Sequence, residues 1–153
     1  MTKTVAIKGT MDLNGQSVPV GANYNINVES GGALTNNSST GATLALTGNN
    51  TKLTVSGSLT NNSTNKMIIN CNGSGSNDGD AGIVLNSNAS LENGESAGGF
   101  EFNINGSNTC IKVANSMDMT SASATINVGE NASGTVLSIE TGGTFSIGAL
   151  TLN

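Results

Sequence analysis

Few residues in this chain have side chains that could do chemistry, and those few are spread thinly. The stretch "SNDGDAG" carries Asp78 and Asp80 on either side of Gly79. Calcium loops place acidic oxygens at alternating positions around such a turn, so the two residues are a candidate calcium pair. No glutamate closes the loop at its twelfth position, and the competing reading is an ordinary acidic turn. Asp80 and Glu101 lie about twenty residues apart. Two carboxylates on successive turns of a repeating fold could flank a glycosidic bond, which needs them roughly 5–10 Å apart. Two solvated surface acids is the stronger reading. Cys71 and Cys110 are the only cysteines. Either they form a disulfide, as in exported proteins, or they are two small buried hydrophobes. Their spacing does not make a Cys-x-x-Cys metal or redox motif.

Other side chains are missing altogether. The chain has no His and no Trp, and all five basic residues are lysines. Without His there is no Ser-His-Asp triad, Cys-His pair or imidazole metal site. Without Arg there is no bidentate clamp for carboxylate or phosphate. A net charge of −5 with scattered lysines does not make a nucleic-acid footprint. No apolar run is long enough to span a membrane, and the opening "MTKTVAIKGTMDLNG" lacks the apolar core of a signal peptide. No catalytic residue, cofactor or metal is expected.

What remains is architecture. Of 153 residues, 35% are hydrophobic, 10% charged and 3% aromatic, with 21 Gly, about two dozen Asn and one proline, Pro19. Asn, Gly, Ser and Thr suit closely spaced turns. Scarcity of Pro suits a backbone whose N–H groups are nearly all used in sheets. Apolar residues alternate over short stretches, as in "NYNINV", "TLAL", "KLTV", "FEFNIN", "TINV" and "TFSI". That period of two marks half-buried strands, and no helical period is sustained. The chain reads as all-β, one domain over residues 1–153.

Two all-β architectures compete. Asn-Gly pairs at Asn14, Asn72, Asn93 and Asn105 are hairpin signals and favour an antiparallel β-sandwich. Internal repetition favours a solenoid. "GALTNN" and "GSLTNN" place Leu34 and Leu59 at equivalent positions, and with them Asn36, Asn37, Asn61 and Asn62. Stacked on successive coils, those asparagines would form ladders in which each amide bonds the next. Strand centres near Ile26, Leu46, Ile68, Val84, Phe102, Ile126 and Phe145 give a spacing of about twenty residues and hence about seven coils.

The phrases "VESGGALTNNSSTG" and "VSGSLTNNST" resemble repeats of right-handed parallel β-helix proteins of the pectin-lyase-like kind, nearest in character to bacterial surface adhesins and autotransporter passengers. The resemblance implies a short right-handed parallel β-solenoid at the cell surface or outside the cell. Lyases of this kind are expected to use an Arg base and a calcium cluster, and this chain has no Arg. Strand-like sequence reaches both termini, and an uncapped last coil leaves a row of unpaired backbone groups. The expected role is structural: a subunit that assembles end to end with itself, through Val5, Ala6 and Ile7 at one end and Leu150, Thr151 and Leu152 at the other. The alternatives are a module binding a surface glycan or receptor and, third, a carbohydrate-active enzyme.

Overall fold

The computed structural model describes residues 2–114 and 117–153. Among the described residues sixteen strands follow one another with no helix: β1 (Lys3–Ile7), β2 (Thr10–Asp12), β3 (Ser17–Val20), β4 (Tyr24–Val28), β5 (Ala33–Asn36), β6 (Ala42–Leu46), β7 (Lys52–Val55), β8 (Ser58–Asn61), β9 (Met67–Cys71), β10 (Ala81–Leu85), β11 (Ser90–Asn93), β12 (Phe100–Ile104), β13 (Thr109–Val113), β14 (Met117–Val128), β15 (Leu137–Ile139) and β16 (Phe145–Leu152). They stack in three sheets. Sheet 1 has the order β1-β4-β7-β10-β13-β15, sheet 2 the order β2-β5-β8-β11, and sheet 3 the order β3-β6-β9-β12-β14-β16. Each strand pairs in parallel with the strand one turn away. The fold is a β-solenoid of about five turns, three strands to a full turn.

The sandwich alternative is therefore set aside, and the Asn-Gly pairs have another use. They make corners, not hairpins: Asn14 and Gly15 both take positive φ, 47° and 72°, where the chain turns from β2 into β3. The expected seven coils are also too many. Alternation marks strands, and each turn contains three. The apolar clusters counted as successive coils belong to sheets 1 and 3 indiscriminately. One turn takes from 21 residues (Lys3 to Tyr24) to 33 (Asn70 to Asn103), because the corner loops differ in length. Five inter-strand steps of about 4.8 Å give sheet 1 a height of roughly 24 Å.

Inside the coil, like stacks on like. Leu34, Leu59 and Leu91 are in register in sheet 2, and Leu44, Ile69, Phe102 and Ile126 in sheet 3. These side chains are almost wholly removed from water and form one continuous core from Ile7 to Ile126. Alternate residues face out, which is why the strands read as period two. The repeated phrase is in register residue for residue: Ala33 with Ser58, Leu34 with Leu59, Thr35 with Thr60, Asn36 with Asn61. At one corner Gly48, Gly73 and Gly106 form a column. A Cβ on Gly73 would fall 1.9 Å from the Gly48 carbonyl oxygen, and one on Gly106 would fall 2.1 Å from that of Gly73. Only glycine allows the backbones to approach so closely there.

Candidate assembly ends and polar ladders

The asparagines of the twin phrase form two columns. Asn36 and Asn61 are fully buried. Asn36 Nδ2 donates to Thr40 O at 3.0 Å and to Asn61 Oδ1 at 3.4 Å. Asn61 Nδ2 donates to Asn65 O (2.9 Å) and Gly99 O (2.8 Å), and its Oδ1 accepts the Ser63 N–H at 3.2 Å. Each side chain thus satisfies backbone groups at a corner, where the ladder is interrupted and unpaired polar groups would be costly. One residue on, Asn62 Nδ2 donates to Asn37 Oδ1 (2.6 Å), and Asn37 Nδ2 to Asp12 Oδ2 (3.0 Å) on the exposed side. The N–H groups of Asn14 and Asn37, with the Asn37 amide, hold the Asp12 carboxyl below its usual range. A third column, on the outer face of sheet 3, runs Asn70, Asn103, Asn127, Asn153 with links of 2.7, 2.7 and 2.8 Å. Its members lack a repeated phrase around them, and only the strand register reveals them.

The candidate chemical residues do not converge. Glu101 lies on sheet 3, in register with Ile68 and Thr125, and its carboxylate is 2.7 Å from Lys66 Nζ, which lowers its pKa. Asp80 precedes β10 of sheet 1 in the same turn. It is not one coil from Glu101, because the turn is longer than twenty residues. Its Oδ2 accepts from the Asn77 side chain (2.8 Å) and N–H (3.0 Å), which lowers its pKa. Asp78 turns elsewhere: its oxygens accept the Thr135 hydroxyl (2.7 Å) and N–H (2.9 Å), lowering its pKa too. The two aspartates thus serve separate loop contacts. Among the described residues no three His, Cys, Asp or Glu side chains gather as a metal site.

Cys71 and Cys110 are both free thiols. Cys71 points into the core from β9, stacked between Leu46 and Ile104. Cys110 sits on sheet 1 outside that core, lining a small pocket with Asp78, Gly79 and Lys112. Burial pushes the Cys71 thiol up to about 12 and raises that of Cys110.

The two ends of the coil remain. At the first, Lys3 N–H donates to Asn23 O (2.7 Å) and Ile7 O accepts from Glu29 N–H (2.9 Å). In a parallel ladder alternate residues serve opposite neighbours. Lys3, Val5 and Ile7 therefore bond β4, and Thr4, Ala6 and Lys8 turn their backbone groups to the free edge. At the other end Val136 O accepts from Ile111 N–H (2.8 Å) and Glu140 N–H donates to Val113 O (3.0 Å), so Leu137 and Ile139 face outward from β15. In sheet 3, Asn153 exchanges both its bonds with β14. Thr151, two residues earlier, likewise bonds inward, leaving Leu150 and Leu152 on the edge. Of the anticipated edge residues, Ala6, Leu150 and Leu152 present free backbone groups. Val5, Ile7 and Thr151 spend theirs within the chain.

Side chains at both ends are apolar and uncovered. Val5 is 43% exposed, Tyr24 42%, Ile139 45% and Leu152 64%. At the first end Val5, Met11, Val18, Val20, Tyr24 and Ile26 line an open groove of about 400 Å³. Pro19 also lies at this end. Thr43 N–H bonds Gln16 O and Thr47 N–H bonds Val20 O, so Gln16, Val18 and Val20 serve β6, and the N–H that Pro19 lacks would have pointed off the free edge. No local signal marks this position in the sequence, since a proline's side of the strand depends on register. Fold and ends together define a β-solenoid without a helix over either end among the described residues. No protein-family model, curated protein or solved structure matches the chain, and no described helix could cross a membrane.

Proposed function

We propose that the protein is a non-catalytic structural subunit, a β-helix of the surface-adhesin kind that works outside the cell and assembles end to end with copies of itself. The observation that carries this reading is the pair of free edges on sheet 1. Thr4, Ala6 and Lys8 at one end, and Leu137 and Ile139 at the other, leave backbone groups unpaired beside exposed apolar side chains. Edges of this kind template strand addition unless they are blunted. A second reading, a glycan-binding surface module, has in its favour the amide column on the outer face of sheet 3.

Electron microscopy and analytical ultracentrifugation over a concentration series test the choice. End-to-end rods that lengthen with concentration support the subunit. Ala6→Pro removes a donor that only a neighbouring copy could use, so it should shorten the rods and leave the far-UV circular dichroism unchanged. Discrete particles at every concentration would refute assembly and leave the glycan-binding module.

A further inference from the structure

We infer that the partner at the Lys8 end is the Glu140 end of a second copy, stacked head to tail as one further turn of the same coil and held in register by opposite charges. This rests on the assembly reading and adds polarity, register and the residues that set them.

The register follows from the columns. Ile7, Val28, Val55, Leu85, Val113 and Ile139 are successive members of one column in sheet 1. Repeating the step once more sets a second copy's Ile7 on Ile139, its Val5 on Leu137, and its Lys8 on Glu140. The free backbone groups then match: Leu137 N–H to Thr4 O, Ala6 N–H to Leu137 O, Ile139 N–H to Ala6 O, Lys8 N–H to Ile139 O. No donor is missing in this sheet. Reversing one copy would set basic end against basic end and make the edge pair antiparallel, which breaks the column register.

Charge favours the same docking. Lys3 opens β1 and Lys8 follows it, while Glu140 follows β15. Lys3 would fall over Thr135, whose hydroxyl and N–H hold the Asp78 carboxylate. Both lysines thus meet an acid. Glu140 is half exposed on its Lys112 partner, 2.6 Å away, and can accept from a second ammonium. Sheet 3 contributes apolar contact, with Leu152 stacking over Val18 at the rim of the groove. Its ladder there lacks one bond, because Pro19 has no N–H for the Leu152 carbonyl.

Complementary charge reversal provides the test. Lys8→Glu sets a carboxylate against Glu140 of the next copy, and Glu140→Lys sets an ammonium against Lys8. Each variant alone should need roughly tenfold more protein to assemble, the scale of turning one modest attraction into repulsion. In an equimolar mixture the two variants can alternate along the rod. Every contact then joins one carboxylate to one ammonium again, and the mixture should assemble as the unaltered chain does. Added salt should narrow the differences. Rods formed equally well by each variant alone, or no recovery in the mixture, would overturn the register while leaving end-to-end assembly standing. An unaltered chain that stays monomeric throughout overturns both.

Discussion

Asn61→Asp is the sharpest probe of what holds the coil together, because it changes one buried NH2 to oxygen and almost no volume. Asn61 is fully buried, and its Nδ2 donates to Asn65 O at 2.9 Å and Gly99 O at 2.8 Å. A protonated Asp can donate only one of these, so the neutral variant loses about one hydrogen bond, roughly 1–2 kcal/mol. An ionised Asp would aim a charge at two carbonyl oxygens, and the site would protonate instead. Holding a carboxyl of ordinary pKa near 3.9 protonated at pH 7 costs about 1.36 kcal/mol per pH unit over three units, about 4 kcal/mol. The folded-state pKa is raised, so this second loss is absent at pH below about 4 and grows as pH rises through neutrality. The total at pH 7 is about 5–6 kcal/mol, a large share of the ~5–15 kcal/mol a domain has. Urea unfolding followed by circular dichroism at pH 4 and pH 7 measures both parts. Asn62→Asp, on the exposed column, is the control and should cost less than about 1 kcal/mol. If Asn61→Asp unfolds within about 1 kcal/mol of the unaltered chain at pH 7, the buried amide does not organise the corner.

Three further outcomes can be checked. Gly73→Ala forces a Cβ to within 1.9 Å of the Gly48 carbonyl oxygen and should cost about 1–3 kcal/mol in the same urea assay; an unchanged midpoint would mean the corner backbones can spread. Cys71 and Cys110 are buried and their thiols are raised, so neither should react with Ellman's reagent in the native protein near neutral pH, whereas two thiols per chain should react in denaturant without reductant. One thiol reacting at once, or none after unfolding, would contradict their placement. Pro19→Val restores the missing edge donor of β3 and should lengthen the rods at a given concentration in sedimentation; rods of unchanged length would show that sheet 3 takes no part in the contact.

The strands were legible because alternation is a local property. "FEFNIN" reads as a strand whatever lies above or below it, and Phe100–Ile104 is one. The repeated phrase was legible for another reason: where two coils have the same side-chain demands, Leu34 over Leu59 and Asn36 over Asn61, selection of residue type leaves near-identical text 25 residues apart. Coil number was not legible, since corner loops change length from turn to turn and no local signal assigns a strand to one sheet of three. The same uncertainty misplaced Asp80 relative to Glu101. Glycines of the 48–73–106 column lie 25 and 33 residues apart, an irregular step that hides them among 21 glycines. Which backbone groups face the free edges depends on the parity of each strand's register, and that exists only once the strands are stacked.

Asp12 has a consequence for the exposed amide column. An ionised carboxylate can only accept hydrogen bonds, so Asn37 must turn its NH2 toward Asp12 and its oxygen toward Asn62, and Asn62 must answer with its own NH2. The choice made at one anion is passed along the column by the two-sidedness of each amide. The Asn153-to-Asn70 column points the same way, each NH2 toward the earlier turn. Aligned amides polarise one another, so these two outer columns carry a vector along the coil, with the Asn153 oxygen as its leading tip. A rod built from such units would be like an arrow, distinguishable at its two ends by the dipole as well as by the shape.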